Sequence, residues 1–254
     1  NVGGNIVNDS VRGASLYLTT NTTNAELTDA NYLTAFNSNG FSLGSTNFTN
    51  GYTMVGWQWQ AGQGTTSSNT SGSITSTTSV NATAGFSIVT YTGTGANGTV
   101  GHGLGVAPKM IIVKQRGGTT SWNVYHTSIG AGNLLYLEAT NASTASSTTW
   151  NNTSPTSSVF SIGTAVGTNT NTGTYVAYCF AEIAGFSKFG SYTGNGSTDG
   201  PFIYLGFRPK FIMIKSTATA NSWHMTDTSR STYNQAVETV WANESTAEST
   251  SSTH

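Results

Sequence analysis

Residues 85–114 read GFSIVTYTGTGANGTVGHGLGVAPKMIIVK, and residues 185–215 read GFSKFGSYTGNGSTDGPFIYLGFRPKFIMIK. Tyr91-Thr92-Gly93 recurs as Tyr192-Thr193-Gly194, Pro108-Lys109 as Pro209-Lys210, Ser121-Trp122 as Ser222-Trp223 and Thr127-Ser128 as Thr228-Ser229, all at an offset of 101. One offset held over so many positions is the signature of an internal repeat. At the end of the first stretch and just beyond it, MIIVKQR (110–116) is a short run with an apolar start, set between Pro108 and the pair Gly117-Gly118. Such a run reads as a buried strand, because it is too short for a helix and is bounded by breakers.

Working outward, the rest of the unit repeats toward the N-terminus. LYLTTN at 16–21 resembles LYLEATN at 135–141, GFSLG at 40–44 resembles VFSIG at 159–163, and MVGWQW at 54–59 resembles YVAYCF at 175–180. The last two pairs stand 119 and 121 apart, a drift that loops of variable length produce. The unit is therefore about 100 residues long. Residues 1–62 read as the C-terminal half of one unit, 63–84 as a Ser/Thr/Gly-rich linker or polar strand, 85–184 as a complete unit, and 185–254 as the N-terminal part of another. The chain opens on Asn1 rather than Met and shows no charged and apolar leader, so it reads as processed or as a segment of something longer.

The composition favours strands. Charged residues are 7% and apolar ones 36%, with 30 glycines and 11% aromatics. Ser, Thr, Asn and Gly must supply the polar surface, and they favour turns and strands over helix interiors. In YVAYCF, Val176, Tyr178 and Phe180 share one face while Tyr175, Ala177 and Cys179 share the other. Both faces are apolar, which predicts a central strand between two layers. Trp122 and Val124 fall on one face of the next strand and Tyr125 on the other. About seven short strands per unit predict an all-β fold of tandem antiparallel β-sandwiches, jelly-roll or concanavalin-like. The one helix candidate is NAELTDANYLTAF, 24–36.

Several function classes lose support. The net charge of −1 offers no basic stripe for nucleic acid, and no apolar run is long enough to span a membrane. The single cysteine, Cys179, excludes an internal disulfide and reads as a buried thiol. The glycine clusters lack the GK[ST] ending of a phosphate loop and read as turns. His102, His126, His224 and His254 come without HExxH, paired cysteines or an acidic loop. His126 occupies the place of Asp227 and Asp9 in the neighbouring units, a position suited to a turn hydrogen bond more than to a metal. No GxSxG elbow and no glycosidase-like carboxylate pair is visible, so no catalytic residue, cofactor or metal is expected. Trp122 and Trp223 recur at one position, as do Trp57 and Tyr178, and read as core aromatics, with sugar stacking as the alternative. Eleven Asn-x-Ser/Thr sites, among them Asn21, Asn97 and Asn195, follow from the composition.

With SVRGASLYL at 10–18, WNNTSPTSSVFSIG at 150–163 and YVAYCFAEIAGFSKFG running on from 175, the two quoted stretches resemble the repeat-bearing, tail-fibre-like structural proteins of tailed bacteriophages of marine bacteria, including cyanophages. The resemblance covers nearly the whole chain. It implies concanavalin-like, lectin-type β-sandwich repeats and a non-enzymatic protein on the virion surface, a fibre, spike or decoration aiding attachment to a host-surface glycan. It implies other virion proteins as partners and, by analogy with phage fibres, a homo-oligomer such as a trimer. A filament- or shell-forming protein without ligand is the first alternative, and a tailspike-type glycan-cleaving enzyme the second. The binding residues stay unknown at this stage.

Overall fold

The computed structural model describes residues 4–45 and 51–250. The N-terminal third forms β1 (Ile6–Asp9), β2 (Gly13–Thr19), β3 (Leu27–Thr28), β4 (Leu33–Asn37) and β5 (Gly40–Leu43). The middle forms β6 (Ser67–Asn69), β7 (Ser76–Asn81), β8 (Phe86–Thr92), β9 (Gly98–Gly101), β10 (Met110–Gln115), β11 (Asn123–His126), β12 (Asn133–Tyr136), β13 (Thr144–Ala145), β14 (Val159–Ile162), a single turn of helix α1 (Val166–Asn169) and β15 (Thr174–Phe180). The C-terminal third adds β16 (Phe211–Ile214), β17 (His224–Asp227) and β18 (Val240–Trp241). Helix makes up 2% and strand 35% of the chain. The helix candidate at 24–36 does not form a helix: its residues contribute β3 and β4 instead. Thr and Asn there compete with the helix ladder through their own side chains, and the ladder to β5 offers their backbone groups partners.

One antiparallel sheet of eight strands dominates, in the order β13-β12-β11-β10-β15-β8-β7-β6. Residues 63–84 contribute β6 and β7 to its edge. At its centre β15 is laddered to β10 on one side and β8 on the other. Its two faces split as strand alternation requires. Tyr175, Ala177 and Cys179 join Val89, Tyr91, Ile111 and Val113 in one apolar cluster. This face is covered by the β9–β14 pair, with Val100, Phe160 and Ile162, and by Trp150. Tyr91 and Tyr175 stack at 5.1 Å, and their hydroxyls donate to the Thr168 and Val166 carbonyls of α1. Val176, Tyr178, Phe86, Ile88 and Ile112 form the second cluster with Leu18, Trp122, Trp223 and Met225, so the outer thirds cover this face.

Three hairpins meet there: β1–β2, β11–β12 and β17–β18. Their registers correspond, Val7↔Leu18, Val124↔Leu135 and Met225↔Val240. One step before each hairpin, the carbonyls of Asn5, Trp122 and Trp223 accept from the amides of Thr20, Leu137 and Ala242, at 2.9, 3.1 and 3.2 Å. The amides of the same three residues donate to side-chain oxygens of Asn21, Glu138 and Asn243. Their side chains then reach a neighbouring hairpin. Trp122 Nε1 donates to the Thr19 carbonyl at 3.0 Å, Trp223 Nε1 to the Tyr136 carbonyl at 2.8 Å, and Asn5 Nδ2 to the Trp241 carbonyl at 2.7 Å. The second hairpin thus leans on the first, the third on the second, and the first on the third, which closes a cycle. Two backbone contacts echo it: Thr120 N to Thr23 O is matched by Asn221 N to Thr140 O, and Glu26 N to Arg116 O by Ser143 N to Thr217 O.

The offset of 101 predicts that 209–215 matches 108–114 as an equivalent central strand, and this needs correction. The strand β16 does share the register of β10, with Phe211↔Asp227 answering Met110↔His126, but among the described residues β16 is an edge strand laddered to β17 alone. The terminal thirds form separate sheets, β1-β2-β3 and β16-β17-β18, joined through side chains, and each contributes one hairpin to the cycle.

Candidate functional site

The residue types that usually carry chemistry are dispersed and engaged. His102 is fully buried; Nδ1 accepts from Leu104 N and Nε2 faces the Thr156 carbonyl at 3.1 Å. Burial lowers its pKa, which keeps the ring neutral. His126 Nδ1 accepts from Ser128 N in a turn, and burial lowers its pKa too. His224 Nε2 lies 3.4 Å from Asn221 Oδ1. His254 lies outside the described residues. Among the described residues no group of three or more His, Cys, Asp or Glu is placed to hold a metal. Burial pushes the Cys179 thiol up to about 12, so it is protonated and unreactive at neutral pH. Gly95 and Gly103 adopt left-handed backbone (φ 74° and 73°) at turns beside β9, where no helix follows to hold a phosphate.

Trp122 and Trp223 are 1% and 5% exposed, so neither ring offers a face to a sugar. The position shared by Asp9, His126 and Asp227 is a turn clamp. Asp9 Oδ1 accepts from the amides of Val11 and Arg12, and Asp227 Oδ1 from those of Ser229 and Arg230. In both, the second oxygen pairs with the arginine three residues on, whose guanidinium also donates to the carbonyl of Val7 or Met225. Arg12 continues to Glu26, which also holds Arg116 through two hydrogen bonds, while Arg230 continues to Glu248.

Each clamp is closed by an aromatic residue from another part of the chain. Tyr178 of β15 donates to Asp9 Oδ2 at 2.7 Å and accepts from Arg12 at 3.1 Å. Trp57 donates to Asp227 Oδ2 at 3.2 Å, with the Arg230 guanidinium 5.6 Å from its ring centre. Trp57 and Tyr178 are the pair that the sequence aligned as repeated aromatics; their shared role shows only in space. Burial opposes the charge on Arg12, but Tyr178, Asp9 and Glu26 outweigh it and raise its pKa. Burial likewise opposes ionisation of Glu26 and Asp227, and their arginines outweigh it and hold both below the ordinary range. These ionised groups saturate one another, so the clamps fasten the three regions together. Sequence reasoning missed them; the recurring Asp-x-x-Arg at 9–12 and 227–230 was the available signal.

Two open clefts lie on the sheets. A polar cleft of about 200 Å³ lies across β7, β8 and β15, lined by Ser76, Thr77, Thr90, Thr92 and Thr174, with Arg116 at its rim. A larger cleft of about 530 Å³ lies over β16 and β17. Ile212 and Ile214 form its floor, and Tyr192, Asn221, His224 and Thr226 its walls. Its floor matches Ile111 and Val113, which are fully buried in the large sheet. The larger cleft is thus an uncovered counterpart of core, whereas the polar cleft lies on a sheet already covered where it is apolar.

The fold and its clefts define an all-β protein of antiparallel sheets whose buried ion pairs fasten three corresponding hairpins. Over residues 1–254 the chain matches a family described as a domain of unknown function, DUF7483, and it belongs to that family. No curated protein and no solved structure matches it.

Proposed function

We propose that this chain is a non-enzymatic surface protein of a tailed-phage virion, a fibre, spike or decoration built from concanavalin-like β-sandwich repeats, which helps attach the particle to a host-surface glycan. The observation that carries this reading is the cycle of three hairpins with corresponding registers and hydrogen bonds. It is what a chain of repeated units produces when neighbouring units pack on one another. Repetition suits attachment, because several weak sites on one particle gain avidity without stronger individual contacts. A surface of Ser, Thr, Asn and Gly rather than charge keeps its interactions in high salt, where ion pairs are screened. In this reading the chain works on the virion surface among other virion proteins, as a homo-oligomer.

The polar cleft is the place for the glycan. Its threonine hydroxyls both donate and accept, which matches a sugar's hydroxyls. The second reading, a filament or shell component without ligand, is favoured by the small size of this cleft, below the roughly 300 Å³ at which small-molecule sites begin. A glycan array probed with the purified chain separates the two. Binding to a restricted set of glycans, abolished in Thr92→Val/Thr174→Val with unchanged thermal unfolding, is the expected result. An array without any signal supports the structural reading, and binding unaffected by the double substitution moves the site elsewhere.

A further inference from the structure

We propose that the free edge of β16 is an acceptor for one further antiparallel strand of the β15 type, donated by another unit of this family. The large sheet supplies the template. There β10 is flanked by β11 on one side and, on the other, by β15 in a six-residue ladder from Met110↔Phe180 to Gln115↔Tyr175. The strand β16 repeats β10 in register against β17, as Phe211↔Asp227 through Ile214↔His224. Lys215 repeats Lys114 as well: each ammonium donates to the carbonyl of the following residue, Ser216 or Gln115. On the side where β10 meets β15, β16 has no ladder partner among the described residues.

The edge lies against an apolar interface that is already formed. Phe211 and Met213 face inward and pack against the cluster that contains Val176, Tyr178 and Phe180 of β15. Phe211 also lies 5.4 and 5.9 Å from the rings of Trp57 and Trp59. An added strand would extend this interface without rearranging it. Its inward positions must be large and apolar, as Phe180 and Tyr178 are opposite Met110 and Ile112. The chain's own 54–59, which aligns with YVAYCF of β15, does not take this place, because Trp57 is held at the Asp227 clamp. That arrangement corresponds to Tyr178 at the clamp of a neighbouring hairpin, not to a strand beside β16. An unpaired edge whose backbone groups point outward accepts such a strand by β-augmentation, where main-chain hydrogen bonds give affinity and alternate side chains give specificity.

The test uses the intact chain and a labelled synthetic peptide of residues 173–181, with a scrambled peptide as control. The expected result is saturable binding by fluorescence anisotropy for the native order alone, with amide protection gained at residues 211–215 and unchanged at 110–115. Ile212→Lys should weaken binding about tenfold, since a lysine on an edge opposes strand addition. Should that variant fail to fold, amide exchange on the native chain with and without peptide decides alone. Binding equal to that of the scrambled peptide, or protection appearing elsewhere, overturns the proposal.

Discussion

MIIV in β10 and FIMI in β16 follow the same proline-lysine pair, ladder to the following strand in the same register and precede the same lysine. Yet Ile111 and Val113 are fully buried, while Ile212 and Ile214 are 41% and 39% exposed. The difference lies outside the strands. Above β10 stand β9, β14 and Trp150, and beside it stands β15; above and beside β16 none of these is present among the described residues. Local sequence set the strand and its hairpin partner in both places, and the surrounding layers alone decided whether the same face became core.

The largest effect expected from this contrast concerns the tryptophans. Trp122→Ala should cost about 3–5 kcal/mol in urea-induced unfolding, because it removes a fully buried ring and its hydrogen bonds to the first hairpin. Trp223→Ala should cost less, since the strand it precedes, β17, lies in the sheet with the uncovered face. Equal costs would show that the C-terminal third is as tightly packed as the middle.

Next comes the strand pair itself. Ile111→Ala should destabilise by about 2–4 kcal/mol, and Ile212→Ala by less than about 1 kcal/mol, because only the first opens a cavity.

The two clamps give a smaller contrast. Tyr178→Phe removes a hydroxyl shared by Asp9 and Arg12, both buried, and should cost about 1–3 kcal/mol. Glu26 titrates below its ordinary value in the folded chain. Its contribution is therefore present above the unfolded pKa and lost as pH falls through the lowered folded one. Glu26→Gln should flatten the acid limb of stability measured against pH, and an unchanged limb would place the acid sensitivity elsewhere. The smallest effect is expected at Glu248, 39% exposed in its side chain: Glu248→Gln should cost under about 1 kcal/mol, and less in high salt.

Much of the middle region was legible in advance. The alternation through 175–180 assigned both faces of β15 correctly, and the flanking glycines and proline marked β10. Those signals are local, since a strand exposes alternate residues to opposite faces whatever surrounds it. The segment 24–36 was a weak helix candidate, rich in Thr and Asn, and the ladder to β5 decided it as strand. The clamps were invisible as a unit, since Tyr178 and Asp9 are 169 positions apart in sequence. The position shared by Asp9, His126 and Asp227 was nonetheless correctly placed at turns.

By itself, then, the sequence determined the all-β character, the strand positions in the middle region and the correspondence between segments, because composition, alternation and turn residues act over a few neighbours. Tertiary structure alone decided that Asn5, Trp122 and Trp223 would close a cycle, that Trp57 and Tyr178 would each seal an arginine clamp, and that β16 would remain an edge. Those outcomes depend on which distant surfaces meet and on what covers a face. Identical local patterns leave both open, because burial and hydrogen-bond partners come from the neighbours a strand acquires in space.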